Sequence, residues 1–392
     1  MTDFNFIHNR KGTNSLKYDF AAERGKSKDL IPLWVADMDF PAPEEVITAL
    51  KEKAEHGIFG YSEPDEKYFS ALYNWLLSRH GWETQPENFV VTCGVVFSIC
   101  ALIRAITKVG DAVIICQPVY YPFAGSVTDN GRRLIVSELK EENGYYTVDF
   151  DDFEKKIIEN DVKAFILCNP HNPVGRVWTR EELEKLGDIC LKHGVFVISD
   201  EIHSDFVYGE NKHIVFPKIK SEFEDICAVC TAPTKTFNLA GLHIANTYVK
   251  SDIVRGQLKN ELEKQGYSQP NIMGLVACRA AYEYGAKWLE ELKAYLTQNL
   301  QLVREYASNK LGGIKLVEPQ GTYLVWLDCR ALGVADEELS ALFEKEAKLW
   351  VDDGFIFGKG GSGFERINIA CPRSVLKQAL ENLSAAVRRL SK

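Results

Sequence analysis

At 392 residues the chain is too long for one ordinary core and suits two packed units of roughly 100–200 residues each. Its 46% hydrophobic and 26% charged residues are those of an ordinary globular protein, which excludes disordered and fibrous classes. A formal charge of −9, with no cluster of Lys and Arg to override it, gives no footprint for nucleic acid.

The opening MTDFNFIHNRKGTNS lacks the apolar core of a signal peptide, and no later run reaches the roughly 20 apolar residues that span a bilayer. The expectation is a cytoplasmic protein without a membrane partner. From residue 88 onward, short apolar runs alternate with amphipathic stretches, the pattern of a mainly parallel sheet with crossover helices and hence of an α/β fold. NFVVTCG is the first predicted strand, and at Gly94 it meets the apolar helix of VVFSICALIRA, whose first backbone N–H groups can receive a phosphate. Any strand–turn–helix junction shares that feature.

DAVIICQP and AFILCNP are the next strands, the second running into NPHNPVG. That turn brackets Asn172 with prolines, so its amide has a fixed direction in which to donate; a plain turn explains the residues equally well. TREELEKLGDICLKHG is a helix. Thr179 and Glu182 form a capping box, Leu183, Leu186 and Cys190 share a face, and Gly194 stops it.

VFVISDEIH places Asp200 at the end of an almost wholly apolar strand, where an unpaired carboxylate is expensive to bury. It calls for a cationic partner such as a pyridinium nitrogen, or it caps the next helix. ICAVC is a further buried strand. Its Cys227 and Cys230 have metal or redox spacing, but no second pair of ligands follows, so small buried hydrophobes are the preferred explanation for these and for the other scattered cysteines. Lys235 follows in TAPTKTFNLAGLH, a loop with few carboxylates near it, which depresses a lysine pKa and suits Schiff-base chemistry; a solvated strand-end lysine is the bland alternative. IANTYVK closes the series of strands.

Beyond it the texture changes. One long helix over roughly 281–311 is expected to carry the chain across a boundary, followed by the strands GTYLVWLDC, LWVDDGFIFG and RINIAC of a smaller α+β unit. The expected division is an N-terminal segment at 1–50 that joins the small domain, a large domain at 51–285 and a small C-terminal domain at 286–392.

Taken in order, Gly94 with its helix, QPVYYPF, NPHNPVG, SDEIH and TAPTKTFNLAGL resemble the fold-type I pyridoxal-phosphate family, the class I/II aminotransferases and their lyase relatives, over essentially the whole chain. The resemblance implies an aspartate aminotransferase-like fold, a large domain with a mainly parallel sheet plus a smaller α+β domain, and pyridoxal 5'-phosphate as cofactor. It implies Lys235 as the Schiff-base and catalytic lysine, Asp200 on the pyridinium nitrogen, Asn172 on the ring hydroxyl and Tyr120 on the ring face. It further implies that the amides of Val95 and Val96 hold the phosphate, with part of that duty falling to Thr234. Arg366, in ERINIACPR, matches the arginine for the substrate α-carboxylate, a task suited to the guanidinium fork. Tyr61, in FGYSEPD, matches a tyrosine that reaches the neighbouring subunit's phosphate, which implies a homodimer with shared sites.

WVADMDF, GVV, NPHNPVGRVW and DEIH resemble the carbon–sulfur β-lyase branch, the MalY/PatB-type cystathionine β-lyases. The implied reaction is α,β-elimination of L-cystathionine and related cysteine S-conjugates to a thiol, pyruvate and ammonia. A class I/II aminotransferase is the first alternative and a non-catalytic regulatory partner the second. Three positions depart from the wider family. His243 stands in place of an arginine on the phosphate, Ala232 in place of a serine, and His203 in place of the tyrosine near the ring hydroxyl, where it is taken as a cofactor neighbour.

Overall fold

The computed structural model describes residues 2–390. Seven strands build its main sheet: β1 (Phe89–Thr92), β2 (Ala112–Gln117), β3 (Arg133–Glu138), β4 (Val162–Cys168), β5 (Phe196–Asp200), β6 (Cys227–Thr231) and β7 (Ala245–Tyr248). They lie side by side in the order β1-β7-β6-β5-β4-β2-β3. From β6 to β3 every pairing is parallel, while β7 is antiparallel to both its neighbours. The central strands are apolar almost throughout because helices cover both faces, and the side chains of β6 are all buried.

The six expected strands are present. The sequence reading missed β3, whose RLIVSE run lies at the sheet edge and is mostly half exposed, so it lacks the continuous apolar signature of the others. The helix Arg180–His193 has its Thr179–Glu182 capping box and ends at Gly194 in the left-handed conformation.

Sheet order places the chemistry. β4, β5 and β6 are parallel neighbours, with Asp200 in register with Cys168 on one side and Cys230 on the other. Two successive antiparallel pairings restore the direction, so β1 also points the same way as β6. The segments carrying Gly94, Asn172, Asp200 and Lys235 therefore leave the sheet at one edge, where the ligand crevice of an open α/β sheet is found.

A second, antiparallel sheet contains β8 (Lys315–Val317), β9 (Leu324–Asp328), β10 (Asp352–Asp353) and β11 (Phe364–Asn368) in the order β8-β9-β11-β10. The N-terminal Ile31–Pro32 pairs in parallel with Leu349–Trp350, tying the start of the chain to this part of the molecule. LWVDDGFIFG is thus not one strand: it divides between that pairing, β10 and the 3₁₀ turn Gly354–Phe357.

The expected helix over 281–311 is also corrected. It is two helices, Ile272–Tyr284 and Ala286–Asn309, that meet at Gly285. A Cβ on Gly285 would stand 2.3 Å from the ring of Phe237 and 2.5 Å from the carbonyl oxygen of Ala281, so close packing at this joint requires glycine. Among the described residues no helix is long and apolar enough to cross a membrane.

Candidate active site

A cavity of about 430 Å³ opens at the carboxyl edge of the main sheet. Nine of the eleven residues singled out from the sequence line it: Val95, Val96, Tyr120, Asn172, Asp200, His203, Thr234, Lys235 and His243.

At its mouth the helix Val95–Ile106 begins after Gly94 with no side chain capping its first turn, so its leading N–H groups are left to the cavity. A Cβ on Gly94 would meet nothing within 4 Å, which leaves open space at that helix end. Thr234 and His243 line the same space. His243 has φ +50°, in the left-handed region, where it ends the 3₁₀ turn Ala240–Leu242. Ala232 is buried.

The lysine sits in the short helix Pro233–Thr236, just past β6. Its Nζ donates to the carbonyl of Ala36 at 3.1 Å. Burial pushes the amine down to about 8; Asp37 acts against this, Arg366 with it, and Asp200 against it. Such an amine holds a sizeable neutral, nucleophilic fraction near neutral pH.

Asp200 is 5% exposed. Its Oδ1 accepts from the Ile202 N–H at 3.1 Å, a bond that caps a turn and not a helix. Burial pushes the carboxyl up to about 7, against the pull of that N–H and of Lys235. No cation among the described residues is within ion-pair distance of it. The acid is therefore a buried acceptor that a cationic ring nitrogen in the cavity would satisfy.

His203 faces the same interior. Burial, then Lys235 and Arg366, push its imidazole down to about 3, and its Nδ1 has no hydrogen-bond partner. The alternative of a satisfied histidine at a helix start does not describe it. Burial likewise raises the phenol of Tyr120, whose backbone N–H donates to the carbonyl of Asn172 at 2.9 Å.

Arg366 stands behind this wall. It comes from β11 in the other sheet, is 2% exposed, and donates through Nη1 to Oδ1 of Asn172 at 3.0 Å and through Nη2 to the Trp34 carbonyl at 2.9 Å. Nη2 also pairs with Asp352, while Nε has no partner.

Tyr61 lies elsewhere. It is 96% exposed, so it is no core aromatic. With Phe59 and residues Tyr267 and Asn271 it lines an open depression that reaches Cys93 and His243, at the helix-mouth end of the cavity. Cys227 and Cys230 are buried thiols within β6, and no metal-ligand cluster occurs among the described residues.

The sequence reading missed several participants. Ala36 contributes a backbone carbonyl, which has no residue signature. Tyr323 donates to that same carbonyl at 2.8 Å. Asn238 clasps the opposing segment, accepting from the Met38 N–H at 2.9 Å and donating to the carbonyls of Met38 and Phe40. Its place three residues after the lysine was the available signal.

Residues 28–383 match the family of class I and II aminotransferases. The chain belongs to that family. Cystathionine beta-lyase PatB of Bacillus subtilis is 41% identical to it, over 98% of this chain and all of that one. Among solved structures, cystalysin from Treponema denticola, described as containing a pyridoxal 5'-phosphate cofactor, superposes with a TM-score of 0.96 at 37% identity, covering 100% of both chains. A pyridoxal-phosphate-bound C–S lyase from Staphylococcus hominis superposes with a TM-score of 0.92 at 33% identity, covering 99% of both.

Proposed function

We propose that the chain is a pyridoxal-phosphate-dependent carbon–sulfur β-lyase that eliminates a thiol from L-cystathionine and related cysteine S-conjugates, leaving pyruvate and ammonia. One observation carries the proposal: a lysine amine pushed down to about 8 shares a cavity with a buried carboxylate that has no cation at ion-pair distance. The names of the full-length relatives, a cystathionine beta-lyase and a C–S lyase, support the lyase over other chemistries of the family.

The residues present suit the cofactor. Lys235 would bind it covalently, and Asp200 would balance the charge of its ring nitrogen. With Oδ1 of Asn172 committed to Arg366, the amide nitrogen of Asn172 is the end available to the ring hydroxyl. Tyr120 would cover the ring face, His203 would stand beside it, and Val95, Val96, Thr234 and His243 would hold the phosphate. When bound, pyridoxal phosphate supplies a sink for the electrons left at the substrate α-carbon.

The chain's own groups do the rest. Arg366 receives the substrate carboxylate and so fixes which α-bond faces Lys235. The free amine of Lys235 would accept the α-proton at Nζ, a task matched to an amine near pH 8. Neutral His203 adds no competing positive charge beside that amine. As the carbon–sulfur bond breaks, sulfur would leave with the electron pair and take up a proton to become the thiol, and one water would hydrolyse the remaining enamine to pyruvate and ammonia.

Tyr61 belongs in this scheme to the site of a second subunit, so the active form is a homodimer. The N-terminal segment at 1–50 and the C-terminal domain at 286–392 form the small unit around the large domain at 51–285, in a cytoplasmic enzyme. Incubation with cystathionine alone tests the activity. Pyruvate should appear without any keto-acid acceptor. Amino-group transfer that requires a keto acid, with no pyruvate in its absence, would make the enzyme an aminotransferase instead.

A further inference from the structure

The segment Trp34 to Phe40 crosses the lysine side of the cavity and is held from several directions. Arg366 donates to the carbonyl of Trp34, and Asn368 donates to those of Val35 and Asp37, both at 2.8 Å. Tyr323 and Lys235 both reach the Ala36 carbonyl, and Asn238 fastens Met38 and Phe40. This is heavy anchorage for a stretch without regular hydrogen-bonded structure.

Asp37 sits at its centre, next to the residue that holds the lysine amine. Arg10 pairs with its Oδ2 at 2.5 Å and with Oδ1 of Asp39 at 2.7 Å, and buried Lys17 pairs with the other oxygen of Asp39 at 3.0 Å. The cations of this cluster thus engage only one oxygen of Asp37. Oδ1 of Asp37 is buried and has no hydrogen-bond partner, and Asp37 and Lys235 line one side cavity, of about 650 Å³, beside the cofactor cavity.

The geometry points to Asp37 as a positioning residue for the reaction: backed by Arg10 and with one carboxylate oxygen unengaged, it lines the same side cavity as Lys235 and sets how readily that amine takes a proton. The other charged or titratable groups acting there are Asp200 and His203 from the main-sheet edge, Arg366 from β11, and Tyr323, whose hydroxyl shares the Ala36 carbonyl with the amine. Among them Asp37 is the strongest attraction, ahead of Asp200. A carboxylate outside direct ion-pair distance suits such a task. It favours the charged amine without locking it in a salt bridge that would stop it from moving to the substrate.

The inference rests on the lyase proposal only for the use of the amine as a base, so its test needs no cofactor. The full-length chain without pyridoxal phosphate is treated with acetic anhydride across a pH series, and modification of Lys235 is followed by mass spectrometry of its peptide. Asp37→Asn should lower the midpoint of Lys235 reactivity by about one pH unit. Arg10→Gln, which exposes the amine to the full charge of Asp37, should raise it, and Asp37→Glu should retain the wild-type midpoint. An unmoved midpoint in Asp37→Asn would overturn the assignment. So would equal downward shifts in Asp37→Asn and Arg10→Gln, the mark of a merely loosened segment. In the loaded enzyme, the pH of the visible spectral transition should move in the same directions. A missing visible band with shifted acetylation midpoints would count against the cofactor proposal and leave the role of Asp37 standing.

Discussion

Arg366 and Asn172 meet at 3.0 Å although they come from different sheets, one from β11 and the other from the turn after β4. The bond makes the proposed carboxylate and ring-hydroxyl sites a single unit, because a shift of either sheet moves both groups. A lysine at 366 keeps the charge and loses the fork, so it cannot serve Asn172, the Trp34 carbonyl and a substrate carboxylate together. Arg366→Lys should therefore lower kcat/KM for cystathionine by about 2–3 kcal/mol of transition-state stabilisation. Steady-state kinetics beside a thermal melt would separate this from misfolding, and unchanged kcat/KM would count against the assigned carboxylate role.

Asp200 links the chemistry to stability in the cofactor-free chain. Its carboxyl is raised from 3.8 in the unfolded chain to about 7 in the fold, so between those values the native state binds the extra proton. Stability consequently falls as pH rises from about 4 to 7, and the cost of the buried charge is complete above 7. Asp200→Asn removes that cost. The variant without cofactor should be more stable than the wild type at pH 8 and equal to it near pH 4, as read by urea denaturation. With cofactor supplied, it should lose turnover by roughly 100-fold or more, since no carboxylate then balances the ring charge.

Much of this site was legible because its chemistry lies where strong sequence signals end. Asp200 ends a buried apolar strand and Asn172 and Lys235 each follow one, and an acid or amine at such a place needs an explanation that a surface residue does not. What stayed hidden came from long-range assembly. The roles of the Ala36 carbonyl and of Asp37 depend on a segment with no periodic pattern brought against β6 from almost 200 positions away. The edge strand Arg133–Glu138 carries too little buried surface for a clear apolar run.

The joint at Gly285 shows the same dependence on packing. Helical periodicity continues through it, and the ring of Phe237, close to the lysine in sequence, together with the Ala281 carbonyl forbids a side chain there. Gly285→Ala should accordingly destabilise the fold by about 1–3 kcal/mol through overpacking, against the gain expected for alanine at an open helical position. Because Phe237 lies two residues from Lys235, a shift of the visible absorption of the loaded enzyme should accompany the lower melting temperature. A stabilised variant would show that the joint can relax at no cost.

Tyr61 supplies the sharpest test of the homodimer. It is almost fully exposed, yet it borders the depression that leads to His243 and the mouth of the Val95–Ile106 helix. With Ile58 and Phe59, also exposed, it forms an apolar stretch of the kind another chain covers. If it serves the partner's site, Lys235→Ala and Tyr61→Ala are each inactive or nearly so alone, but they complement in a mixed dimer. One site of the hybrid then carries both native residues and the other carries neither. After mixing in equal amounts, unfolding and refolding together, half of the dimers are hybrids with one intact site each, so lyase activity should return to roughly a quarter of the wild-type rate. No recovery, in a sample shown by sedimentation to contain dimers, would place Tyr61 outside the shared site.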